Sequence, residues 1–440
     1  IIVCDEQEYD QMLEIYKACL EFLQANEYVE NQLFHPNNVQ IIIILLLQDI
    51  IPRMPIDQIL PAQGYEIFPG LCDETQMSNF SLELDILDET WISTGLYLPA
   101  GVVAIVKTET AHPNLHIQVG AHHETLLQKP VPWKRLPSII TAYPLISTET
   151  KISSPFGGPV YITASEPLEE TIRVKFEFHN FTLYPRRVKG DPSIWELTQD
   201  KKVPFGEVEL DNIILTMPSD EIRNINFDLF SKVIDSLSSK VADFMCYPIT
   251  RKFRIVFDID LADSGASFGY PIVLLINEIP AMFHDLTKPS MPLFTLCNLM
   301  GIVTIPEGCF DSTIEAALAA VAASVAFKQV FGEFDPKELA SKTLPPLFNE
   351  LWEITQAYPD IIPATLKKFQ DPEYVIVGVP EDAWIEFVRE MCRIGERDFT
   401  KLLEQSRAIP LSVSMSCHSF QPFIPDELKN PPEESSPLCS

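Results

Sequence analysis

The chain has 440 residues, 46% of them apolar and 21% charged, which is enough to bury several cores and predicts more than one domain. The formal net charge is -30, from 32 basic against 62 acidic residues, and it argues against nucleic acid and anionic membrane surfaces, since both require a basic footprint. Nine scattered Cys without a CxxC pair read as reduced thiols of an intracellular protein, not as a disulfide framework.

The first residues, Ile1-Ile2-Val3-Cys4, carry neither a Met start nor a basic leader, and the chain reads as a fragment. Residues 7–25 predict an amphipathic helix, with Met12, Ile15, Tyr16 and Cys19 recurring on one face. Residues 39–47 are Ile-rich on both faces and predict a fully buried strand of a parallel sheet. Residues 1–65 are therefore read as the C-terminal remnant of an α/β domain plus a Pro-broken linker. The apolar runs Ile41–Leu47 and Ala316–Phe327 are too short to span a bilayer, so no direct membrane span is expected.

From Asn79 the periodicity changes. Phe80, Leu82, Leu84 and Ile86 alternate, as do Leu115, Ile117 and Val119, and later Val174, Phe176 and Phe178, with Gly, Pro and Asn between them. That pattern predicts a β-sandwich over residues 66–190. Three stretches stand out within it: Ser93-Thr94-Gly95-Leu96-Tyr97-Leu98-Pro99-Ala100-Gly101, then Ile117-Gln118-Val119-Gly120-Ala121-His122, then Ser154-Pro155-Phe156-Gly157-Gly158-Pro159-Val160-Tyr161-Ile162. Gly157-Gly158 permits a tight turn with close backbone approach. Beyond the sandwich come Pro204-Phe205-Gly206-Glu207, Asp211-Asn212-Ile213-Ile214-Leu215-Thr216-Met217-Pro218, and Gly269-Tyr270-Pro271-Ile272.

In this order the motifs resemble the enhancin-type (M-sixty) peptidase module, and more closely the TRP-channel-associated factors, which carry that module behind an amidotransferase-like domain. The resemblance covers about residues 66–415 and implies an α+β multidomain chain. A β-sandwich would be followed by a degenerate zincin-like α/β metallopeptidase-type domain at 191–340 and a helical subdomain at 341–424. Residues 425–440, rich in Pro, Glu and Ser, read as a disordered tail.

In such peptidases a helix carries HExxH: two His bind zinc, the Glu is the general base, and a Glu on the next helix is the third ligand. No HExxH occurs in the chain. The resemblance puts Phe294 at the first zinc His, Thr295 at the general base, Asn298 at the second His, and Glu315 of Ser312-Thr313-Ile314-Glu315 at the third ligand. A phenyl ring cannot ligate zinc, Thr is no base near neutral pH, and a neutral carboxamide is a poor zinc ligand. No catalytic residue, metal or cofactor is therefore expected. His284 and Cys297 have no partner at helical spacing and read as a loop His and a buried thiol. His122-His123-Glu124 reads as a solvated loop, since adjacent side chains point different ways. The helix after Glu315 is apolar nearly all round and predicts core packing up to Gly332.

The resemblance thus implies a pseudoenzyme whose partner is a membrane ion channel of the TRP type, working inside the cell at the plasma-membrane periphery. Two alternatives remain open: an active zinc peptidase of the enhancin, mucin-cleaving type, and a carbohydrate- or glycoprotein-binding module.

Overall fold

The computed structural model describes residues 6–26, 28–86, 91–168, 170–262, 266–267, 269–332, 334–340, 343–371, 374 and 380–423. The expected tail at 425–440 lies outside the described residues. The chain divides into two units, residues 1–227 with 251–280, and residues 228–250 with 281–440.

The first unit opens with helix α1 (Glu6–Ala25) and helix α2 (Asn38–Ile50). Helix α2 corrects the strand expected at 39–47. Asn37 closes a capping box, accepting from the amides of Val39 and Gln40 while the Gln40 side chain accepts from the Asn37 amide at 2.9 Å. A helix started this firmly outweighs the β preference of four consecutive Ile, and it buries one stripe, Gln40, Ile44, Leu47 and Ile50. Tyr16 of α1 joins Ile44, Leu47, Trp133 and Phe156 in a core shared by the two helices and the loop around 133–139.

The alternating region forms antiparallel strands β1 (Ser78–Ile86), β2 (Ile92–Leu98), β3 (Ala104–Thr108), β4 (His112–Val119), β5 (Thr141–Leu145), β6 (Glu149–Ile152), β7 (Gly158–Ala164) and β8 (Ile172–Leu183). Their order is β5-β4-β7-β2-β8-β3-β6, with β1 on β8. Strand β8 pairs with β3 as far as His179 and with β1 across a bulge at Asn180 (φ 69°), then with β2 through Thr182 and Leu183. Both parts of the sheet contribute to one core that includes Leu96, Val106, Ile117, Phe176, Phe178 and Phe181. The three motif strands β4, β7 and β2 are neighbours. Gly157 (φ 68°) explains their close fit: a Cβ there would lie 2.6 Å from the Leu98 carbonyl oxygen.

A second, mixed sheet follows, built from β9 (Arg186–Val188), β10 (Phe205–Glu209), β11 (Ile213–Pro218), β12 (Phe253–Asp258), β13 (Ala266–Ser267) and β14 (Ile272–Leu275), in the order β9-β10-β11-β12-β14-β13. Strands β11, β12 and β14 are parallel, and all six residues of β12 are buried.

The second unit is helical: α3 (Phe227–Phe244), α4 (Met291–Val303), α5 (Ser312–Phe331), α6 (Phe348–Ala357), α7 (Ile361–Phe369), α8 (Pro380–Gly395) and α9 (Leu411–Cys417), with shorter turns between. Pro380 opens α8, as expected of a residue that gives up no helical hydrogen bond at that position. Pro363 sits in the first turn of α7, where a missing N–H is also tolerated. Among the described residues one helix, α5, is long and apolar enough to cross a membrane by length and composition, and 61% of its most apolar window is buried, as in a core helix.

Candidate functional site

Phe294, Thr295, Asn298 and Glu315, the positions that the resemblance sets against a peptidase site, lie on α4 and α5, both in the second unit. Ser290 caps α4 by accepting from the Leu293 amide, and Pro292 occupies its first turn. Asp311 caps α5, accepting from the amides of Thr313 and Ile314 at 3.0 and 3.2 Å. The two helices touch where Gly301 faces Ala319: a Cβ on Gly301 would lie 2.9 Å from the Ala319 Cα. Small residues at the crossing bring the backbones together, and the residues one and two turns earlier on α4 follow from that placement.

Phe294 is buried against aromatic rings, edge-on to Phe327 at 5.3 Å and tilted to Phe334 at 6.2 Å. The Thr295 hydroxyl donates back to the Met291 carbonyl at 3.1 Å, occupying itself with the preceding turn. Asn298 is half-buried one turn after Phe294. A phenyl ring, a hydroxyl and a carboxamide do not fit a zinc site. Among the described residues no group of three His, Cys, Asp or Glu is placed to hold a metal ion.

Glu315 stands in the first turn of α5. Burial and then the Asp311 carboxylate raise its pKa, and burial together with Glu315 pushes the Cys309 thiol up to about 11. Asp311 is bridged at 2.5 Å by Arg407, which also holds Glu381 at 2.7 Å. Cys297 is fully buried, and burial raises its thiol well above its ordinary value; His284 is exposed in the loop before α4.

Sequence reasoning missed two buried charge clusters in the first unit. Arg254 on β12 meets Glu207 on β10 at 2.8 Å, both fully buried. Glu207 also accepts from Tyr184 at 2.6 Å and Tyr161 at 3.1 Å, while Arg254 donates to the Trp91 carbonyl and the Ser93 hydroxyl at 2.9 Å. Burial pushes Glu207 up, and Arg254 and Arg186 more than offset it, leaving the carboxyl below its ordinary value. In the second cluster Arg135 holds Asp258 through three hydrogen bonds of 2.7 to 3.1 Å.

His123 is exposed, but His122 lies beside this pair, and its burial corrects the solvated reading at that residue. It is 2% exposed, edge-on to Phe68 and Phe205 at 4.6 Å each, with Nε2 at 3.2 Å from the Phe257 carbonyl. A carbonyl only accepts, so Nε2 carries the proton. His123 turns instead toward Trp91, and Glu124 accepts from the Ser267 hydroxyl at 2.6 Å. A lone Glu or Arg inside an apolar strand was the available signal for the ion pairs; nothing local marked His122.

Residues 74–176 match the N-terminal domain of M60-like peptidases. TRPM8 channel-associated factor 3 of Rattus norvegicus is 32% identical over 223 residues, 49% of this chain and 24% of that protein. TRPM8 channel-associated factor 2 of Homo sapiens is 26% identical over 218 residues, 46% of this chain and 23% of that one. The chain resembles the TRPM8 channel-associated factors, and its N-terminal β-region is M60-like. It spans about a quarter of the length of these curated relatives. Among solved structures, the catalytic module of the metalloprotease ZmpA from Clostridium perfringens superposes with a TM-score of 0.58 at 13% identity, over 79% of either chain. IMPa from Pseudomonas aeruginosa, solved with an O-glycopeptide, does so at 0.58 and 12% identity, over 99% of this chain and 67% of that one. At such identities the likeness is one of fold: a mixed α and β architecture with large antiparallel sheets, shared with M60-like peptidase domains.

Proposed function

We propose that this chain is a non-catalytic, peptidase-like protein that acts as a regulatory or trafficking factor of a TRP-type membrane channel. One observation carries the non-catalytic half: Phe294 is locked among Phe327 and Phe334, one turn from Asn298, where a zinc peptidase needs two open imidazoles. The partner half rests on similarity to proteins named as TRPM8 channel-associated factors. In this reading residues 66–190 are the sandwich, 191–340 a zincin-like domain stripped of its chemistry, and 341–424 a helical subdomain. The protein works at the plasma-membrane periphery through its partner, without metal or cofactor.

The test pairs a co-precipitation from native membranes, with the channel as the sought band, with a peptidase assay on glycoproteins. The parent and Glu315→Gln are expected to capture the channel equally and to cleave nothing. Cleavage by the parent that Glu315→Gln abolishes, or about one zinc per chain by elemental analysis after dialysis, would overturn the reading.

A further inference from the structure

A cavity of about 160 Å³ lies within the first unit, between α1, α2, the segment 60–63 and the stretch 136–143. Its wall is mainly apolar, including Leu20, Ile44, Leu47, Leu136, Ile140 and Phe156. That volume is close to the roughly 150 Å³ of an engineered cavity that admits a benzene ring. None of the lining residues is Lys, Arg, His, Asp or Glu.

The polar groups on the wall divide into two kinds. The Tyr16 hydroxyl accepts from the Leu60 amide at 3.0 Å, and the Tyr143 hydroxyl donates to the Ser153 carbonyl. Gln48, Gln63 and Thr141 differ: the Nε2 of the first, the Oε1 of the second and the Oγ1 of the third are buried with no hydrogen-bond partner. Buried polar atoms are normally satisfied, and an unsatisfied donor and acceptor on one cavity wall are complementary to a single group that offers both.

We propose that this cavity is a binding site for a small uncharged ring compound bearing a carboxamide or an equivalent donor–acceptor group. The ring fills the apolar part, the ligand carbonyl accepts from Gln48 Nε2, and the ligand N–H donates to Gln63 Oε1. A charged analogue is rejected, because no counter-charge lines the wall to offset its desolvation. This site is independent of the peptidase-like helices and of the channel partner.

The test uses the whole chain with three probes that share one ring, benzamide, benzene and benzoate, and measures binding by titration calorimetry and saturation-transfer NMR. Benzamide is expected to bind, and benzoate at least roughly tenfold more weakly. Gln48→Leu and Gln63→Met each weaken benzamide roughly tenfold and leave benzene unchanged, while Ala62→Leu narrows the cavity and weakens both. Gln63→Met keeps side-chain length, so the argument stands on that variant should Ala62→Leu fail to fold. Failure of benzamide to bind, equal binding of benzoate, or benzamide affinity untouched by both Gln substitutions overturns the proposal.

Discussion

Acidification should destabilise the protein through one imidazole. His122 is held between Phe68 and Phe205 beside the Arg135–Asp258 pair. Burial lowers its pKa from 6.5 to about 4; Asp258 pulls the other way, and Arg135 adds to the lowering. The unfolded chain therefore takes up a proton that the folded chain refuses, and stability falls as pH drops from about 6.5 toward 4. Between pH 7 and 5 the linkage costs about 2 kcal/mol, rising to about 3 kcal/mol once both states are protonated. Asp258 does not blur this window. Burial pushes its carboxyl up, but Arg135 and His122 more than offset that, so its stabilisation is lost only as pH falls through a value below that of an ordinary Asp. The perturbation is His122→Gln, whose carboxamide can still donate to the Phe257 carbonyl but does not titrate. Denaturant midpoints are measured at pH 7 and 5 for both proteins. The parent should lose about 2 kcal/mol more than the variant over that interval. Equal losses would refute the buried neutral imidazole.

Removing one member of the Arg254–Glu207 pair, as in Arg254→Met, leaves a carboxylate buried and should cost about 3–5 kcal/mol by the same midpoint measurement; a loss below about 1 kcal/mol would contradict the burial. Gly301→Val places a branched side chain against the Ala319 backbone, already 2.9 Å from a Cβ, and should cost about 1–3 kcal/mol despite the better helix propensity, read as a lowered Tm. Asp311→Ala deletes the α5 cap and a partner of Arg407, and about 1–2 kcal/mol should be lost in thermal denaturation. Asp311→Asn keeps the cap and should recover most of it.

Much of the β-region was legible because strand alternation is a local signal. Phe176 and Phe178 pointed inward by period alone, and Gly157-Gly158 announced a turn that only residues lacking Cβ can make. Helix α2 was misread because its run of Ile carries β propensity while its decisive feature is the Asn37–Gln40 box, two residues that look unremarkable in a polar stretch. His122 was misread for a different reason. Its neighbours Phe68, Phe205 and Phe257 come from three distant parts of the chain, so no window around 122 could reveal its burial. For the ion pairs a charge inside an apolar strand was visible, as at Arg254, but its partner was not, Arg135 and Asp258 being 123 residues apart.

The helices at the candidate site are held together by terms that involve no ligand. Helix α4 begins at the Ser290 cap and α5 at the Asp311 cap, and neither cap involves the positions aligned with ligands. Their crossing is set by Gly301 against Ala319, nearly two turns beyond Phe294. At Phe294 the interior is completed by Phe327, close to the far end of α5, so apolar packing lies where two imidazoles would otherwise need polar partners. Each of these terms stabilises the pair by itself. An imidazole introduced at position 294 would have to displace the ring-to-ring contacts with Phe327 and Phe334, so the cost of such a substitution falls on the aromatic core.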